Sequence, residues 1–199
     1  MIRLITGYGV RSAGDDIESV ADKIANHLWL YHNKQVKISH IEVPYQWAIK
    51  QRRRFQREAL VEILDARLEN IALKHPNDTL ILLLHSNATR AFKGALTKGN
   101  YRLYELSQVF LFGSIIPRGF DWSLYPSLKV HNFVGSRDKV VLFGALYRNG
   151  WSGRYGFLEP ADNLTQHYMP DWGHASYASD YKTIDMVADD IMREIINAS

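Results

Sequence analysis

In the run Thr79-Leu-Ile-Leu-Leu-Leu-His85-Ser86-Asn87-Ala88-Thr89, a serine stands where an apolar strand gives way to a helical stretch. A sharp turn at such a place projects the hydroxyl above the end of a sheet. The backbone N–H of the next residue, Asn87, then points toward the atom that the hydroxyl attacks. Serine is a weak nucleophile until a base takes its proton and a third group holds that base. Two downstream residues have the required types. Asp138 lies in Val134-Gly-Ser-Arg-Asp138-Lys-Val-Val and His174 in Met169-Pro-Asp-Trp-Gly-His174-Ala-Ser, each just beyond a short apolar run. Asp171, three residues before His174, and Asp162 are rival acids. The chemistry open to such a set is acyl transfer, with His as base, Asp as its orienting partner and backbone N–H groups as oxyanion donors.

Three such residues meet only if three strands end on one edge of a sheet. The hydropathy pattern predicts six short apolar strands: Ile2 to Thr6, Val36 to Val43, Thr79 to Leu84, Gln108 to Phe112, Leu128 to Val134 and Leu164 to Met169. Helical spacing fits Asp15 to Leu30, residues 52 to 74, a short stretch from near Thr89, and Tyr181 to Ile196. This βα alternation predicts an α/β protein, a three-layer α/β/α sandwich around a mostly parallel sheet, folded as one domain over residues 1–199. The run from Thr79 to Leu84 is continuous rather than alternating, as expected of a central strand covered on both faces. The segment from Gly144 to Asp162, with glycines at 144, 150, 153 and 156 among aromatic residues, shows no regular pattern.

Read together, these residues resemble the α/β-hydrolase family over nearly the whole chain. Ser86, Asp138 and His174 occur in that family's order of nucleophile, acid and base. The segment Gly135-Ser-Arg-Asp138-Lys-Val-Val is similar to its acid loop, the Gly173-His174 pair to its histidine loop, and Leu4-Ile-Thr-Gly7-Tyr8-Gly9 to its first oxyanion strand. The resemblance implies a minimal fold with strand order 2-1-3-4-5-6, expected here to lack the family's N-terminal antiparallel hairpin because the chain opens directly on the strand before the oxyanion turn. It also implies backbone oxyanion donors at Tyr8 and Asn87, and a serine hydrolase that cleaves an ester or thioester through an acyl-enzyme. Where the family pattern is G-x-S-x-G, this chain reads Leu84-His85-Ser86-Asn87-Ala88. Ser86 is therefore expected in a sparsely populated backbone conformation, with the Leu84 side chain filling a space between sheet and helix.

Composition narrows the remaining classes. The hydrophobic fraction of 46% and charged fraction of 23% exclude a disordered or coiled-coil chain. A net charge of +3 provides no case for nucleic acid. With no cysteine, thiolate chemistry and disulfides are excluded. The eight histidines lack the paired spacing of a zinc helix, so neither metal nor other cofactor is expected. No secretory signal and no apolar membrane span is visible, which points to a soluble cytoplasmic protein acting on a small acyl substrate. The basic run from Lys50 to Arg57 reads as a solvated helix start, and Trp122, Trp151, Trp172 and Tyr168 as core or loop anchors. Two other readings compete: a binding module that keeps this fold without its chemistry, and a nucleotide-binding protein built on the turn Gly7-Tyr-Gly9-Val-Arg-Ser12.

Overall fold

Apolar runs bounded by turn residues produce a single sheet of six parallel strands in a computed structural model that describes residues 1–8, 11–42, 54–99, 106–144 and 150–197. The strands are β1 (Ile2–Tyr8), β2 (Val36–Glu42), β3 (Thr79–His85), β4 (Leu106–Phe112), β5 (Lys129–Gly135) and β6 (Leu164–Met169). Their order across the sheet is β2-β1-β3-β4-β5-β6, as expected. Helices α1 (Arg11–His32), α2 (Arg54–Lys74) and α3 (Asn87–Thr97) belong to the first half of the chain. Two short helices, α4 (Lys139–Gly144) and α5 (Ser152–Tyr155), precede the closing helix α6 (Tyr181–Asn197).

Side chains that alternate along each strand divide the core in two. On one face Ile5, Leu80, Leu82, Leu84, Val109 and Leu111 pack with Leu60, Leu64 and Leu68 of α2 and with Ala88 and Phe92 of α3. On the other, Leu4, Ile81, Leu83, Phe110 and Phe133 pack with Ile17, Val20 and Ile24 of α1 and with Val187 and Ile191 of α6. Because both faces are covered, β3 is buried from Leu80 to His85, which is why its sequence runs apolar without alternation.

The patternless stretch has a physical explanation. Within its described part, Gly150 and Gly153 donate their N–H groups to the carbonyls of Ile115 and Ser114, both at 2.8 Å, lashing the segment to the loop after β4. Between and beyond these tethers the segment makes only one short helical turn, α5, so most of its order comes from contacts remote in sequence. The strand end expected at Val43 and the first half of the basic run, residues 50–53, lie outside the described residues, and the second half opens α2. No helix among the described residues is long and apolar enough to cross a membrane.

Leu84 occupies the position expected of it. It is fully buried, and a β-carbon on Gly7, its cross-strand partner in β1, would stand 2.8 Å from Leu84 Cδ2. The glycine missing from the turn is thus matched by a glycine on the neighbouring strand, which makes room for the larger side chain. Leu84→Gly should cost on the order of 2 to 5 kcal/mol in a urea unfolding experiment, since it removes a buried leucine without restoring a partner over Gly7. A cost below about 1 kcal/mol would mean that the two strands close over the gap.

Candidate active site

Ser86 bridges β3 and α3 with φ 56° and ψ −120°, a backbone conformation that costs a non-glycine residue about 1 to 3 kcal/mol. Its surroundings over-determine that geometry. The Ser86 N–H donates to the Phe112 carbonyl at 3.1 Å, while its own carbonyl accepts from the Thr89 N–H at 3.1 Å and the Thr89 hydroxyl at 2.7 Å. Thr89 Oγ1 in turn accepts from the Ile115 N–H at 3.2 Å, so one buried hydroxyl ties the start of α3 to the loop after β4. The Ser86 hydroxyl does not cap α3, and among the described residues it has no hydrogen-bond partner, His174 included.

His174 and Asp138 meet as their order along the chain anticipates. Asp138 is 1% exposed, and its Oδ2 accepts from His174 Nδ1 at 2.8 Å while its Oδ1 accepts from the Val141 N–H at 2.9 Å. The two loops that carry them are locked together. Arg137 donates its N–H to the Trp172 carbonyl at 3.0 Å, and Arg154 Nη1 donates to the Asp138 carbonyl at 2.9 Å. With Nδ1 engaged by the carboxylate, Nε2 is the nitrogen left to act as a base.

The rival acids have other neighbours. Asp171 forms an exposed ion pair with Arg137 at 2.8 Å, and Asp162 lines a cavity beside α6. Tyr8 closes β1 one residue after Gly7 pairs with Leu84, which puts it at the same edge of the sheet as the serine turn. Asn87 is the first residue of α3, where no preceding turn offers its N–H a carbonyl. Gly7 is accounted for by the packing of Leu84, and Gly9, the second glycine of the nucleotide reading, lies outside the described residues. Trp122 and Trp172 are buried, whereas Trp151 and Tyr168 are exposed.

Two residues at this edge were not singled out by sequence reasoning. Gly113, with φ 53°, sits directly under the histidine: a β-carbon there would stand 2.8 Å from both Cε1 and Nδ1 of His174 and 3.3 Å from His85 Nε2. The Ser86 N–H is bonded to the residue before this glycine, so the serine turn and the imidazole converge on the end of β4. The other residue is His85. Its ring lies 4.5 Å from that of His174 and 5.0 Å from that of Tyr177, and its Nε2 donates to the His174 carbonyl at 3.1 Å. It thereby fixes the histidine loop from below. The signal for Gly113 was a glycine just past a strand; for His85 it was a polar residue ending an otherwise apolar one.

His85 is fully buried and its Nδ1 has no hydrogen-bond partner, so a second proton would add a charged N–H with nothing to receive it. Burial first, and the nearby His174 second, push its pKa down to about 3 against the raising effect of the bond to the His174 carbonyl. In the unfolded chain the same imidazole takes up a proton near pH ~6.5. Lowering the pH from there toward 3 therefore favours the unfolded state, by on the order of 1.4 kcal/mol per pH unit from this residue. His85→Gln, which keeps a donor for the carbonyl, should flatten the fall in unfolding free energy between pH 6 and pH 4 measured by denaturant titration. Identical slopes for both proteins would show that His85 does not titrate on unfolding.

No family model matches the chain, and no curated protein matches it by sequence. Solved structures do. A cutinase-like protein from Cryptococcus sp. is 19% identical with a TM-score of 0.57, covering 98% of this chain and 94% of its own. A thioesterase from the prodiginine biosynthetic pathway in Streptomyces coelicolor is 12% identical with a TM-score of 0.54, covering 97% and 86%. The catalytic core domain of acetyl xylan esterase from Trichoderma reesei is 13% identical with a TM-score of 0.51, covering 94% and 96%. The chain thus has an α/β-hydrolase-type fold, in its small form with a single six-stranded parallel sheet.

Proposed function

We propose that this protein is a serine hydrolase that cleaves an ester or thioester of a small acyl substrate. The observation that supports the reading is the pairing of His174 with a buried Asp138 carboxylate at the same sheet edge where Ser86 is held in left-handed backbone. Three of the structural neighbours carry names of ester- or thioester-cleaving enzymes, or likeness to one, in keeping with it. In this mechanism substrate entry brings the Ser86 hydroxyl into hydrogen-bond reach of His174 Nε2, a bond that often tightens only once substrate is present. His174 takes the proton as Ser86 Oγ attacks the carbonyl carbon, and the N–H groups of Tyr8 and Asn87 receive the oxyanion. His174 then returns the proton to the leaving alcohol or thiol. Water, deprotonated by the same imidazole, releases the acid and restores the serine. Asp138 holds the Nδ1–H tautomer throughout and stabilises the imidazolium.

The unmade bond between Ser86 and His174 is also what a binding module on this fold would have. A panel of p-nitrophenyl esters of short and long acyl chains separates the two readings. Saturable turnover on at least one ester is the expected result, and absence of turnover across the panel would favour the binding module.

A further inference from the structure

Three metal-ligating side chains converge on β5, β6 and α6, and none of them takes part in the proposed mechanism. His131 of β5, His167 of β6 and Asp190 of α6 meet at the outer end of the sheet. His131 Nδ1 is 3.2 Å and His167 Nε2 3.7 Å from Asp190 Oδ2, and the two nitrogens are 3.4 Å apart. A circle through three points with these sides has a radius of about 2.0 Å, which is the length of a zinc bond to nitrogen or carboxylate oxygen. Each atom offers a lone pair once the two imidazoles carry their protons on the opposite ring nitrogens, the tautomers a metal selects. A cation at the common centre serves all three at once.

The frame around them is built rather than incidental. His131 stacks on Phe110 with centroids 4.4 Å apart, and His167 on Phe133 at 4.5 Å, so each ring is held in its plane. Arg193 Nη1 donates to Asp190 Oδ1 at 3.1 Å, turning the other carboxylate oxygen toward the histidines. The three side chains are between 9% and 12% exposed, and they line a cavity of about 350 Å³ that Asp162, Asp189 and Glu194 also border. The cavity leaves room for a fourth ligand, and its carboxylates outnumber Lys129 and Arg193, the two cations that also line it. The set comes from three separate elements, so no spacing along the chain announces it.

We infer that His131, His167 and Asp190 form a binding site for a divalent transition-metal ion, with Zn²⁺ as the fitting occupant by ligand type and spacing. The site ties β5, β6 and α6 together, and those elements flank the loops that carry Asp138 and His174. It does not depend on the serine-hydrolase reading. The test is calorimetric titration of the chelator-stripped full chain with ZnCl₂. One ion per chain, bound at micromolar concentration or tighter with a rise in melting temperature, is the expected result. Asp190→Asn and His167→Gln should each weaken binding by about 100-fold or more. His32→Gln, in the more exposed grouping of His27, His32 and Asp189, should leave it unchanged. Ser86→Ala should bind as the native chain does. Titration of the native chain with Co²⁺ needs no variant and should give the intense visible bands of a four-coordinate ion. Failure of the folded native chain to bind Zn²⁺, undiminished binding by both ligand variants, or only the weak bands of six-coordinate Co²⁺ would overturn the assignment.

Discussion

Ser86→Ala should remove ester hydrolysis, with kcat falling about 10⁴-fold or more, while the protein remains folded. Deleting a side-chain oxygen that makes no hydrogen bond among the described residues takes nothing from the fold. The strained backbone is held by the Phe112 carbonyl and by Thr89, neither of which touches the hydroxyl. Alanine meets the same left-handed geometry as serine, so the denaturation midpoint should hardly move, a change within about 0.5 kcal/mol. Activity and stability thus separate at this residue. A purified variant that kept its turnover would remove Ser86 from the chemistry.

Asp138→Asn should be nearly as damaging, again about 10⁴-fold in kcat, whereas Asp171→Asn should change it less than about threefold. Each carboxylate oxygen of Asp138 accepts a hydrogen bond, from His174 Nδ1 and from the Val141 N–H. An asparagine can meet the backbone N–H with its oxygen only by turning its NH₂ toward the imidazole. That forces a lone pair onto Nδ1 and the proton onto Nε2, where it blocks the base. Asp171, by contrast, belongs to an ion pair whose side chains are 70% and 79% exposed, and such pairs contribute little. Steady-state kinetics of the two variants, each checked for folding, decides between the acids. A larger loss in Asp171→Asn would move the acid role to that residue.

Much of the frame is legible in the sequence, because a parallel sheet covered on both faces leaves continuous apolar runs separated by turn residues. All six strands fall where the pattern puts them, and the resemblance anticipated their order. Ser86, Asp138 and His174 stood out for a related reason: each follows a strand, and strand ends in a parallel sheet share one edge. What escaped was decided by pairs distant along the chain. Gly7 and Leu84 exchange the room that the family pattern keeps within one turn, and neither residue announces the other. His85 and Gly113 matter only because the loop after β6 folds back over them. The same holds for Gly150 and Gly153, whose partners lie beyond β4, and for His131, His167 and Asp190. Helical and strand periodicity report which face is buried; they carry no information on which polar side chains meet across elements.

In the proposed mechanism the Ser86 hydroxyl is activated by the His174–Asp138 pair at the same edge of the sheet. The most direct measurement is reaction of the native chain with a fluorophosphonate, followed by mass spectrometry of the digested protein. A single adduct on the peptide carrying Ser86, lost in Ser86→Ala and strongly slowed in Asp138→Asn, is the predicted result. A folded native chain that takes up no label at Ser86, or is labelled equally fast without Asp138, would contradict the claim.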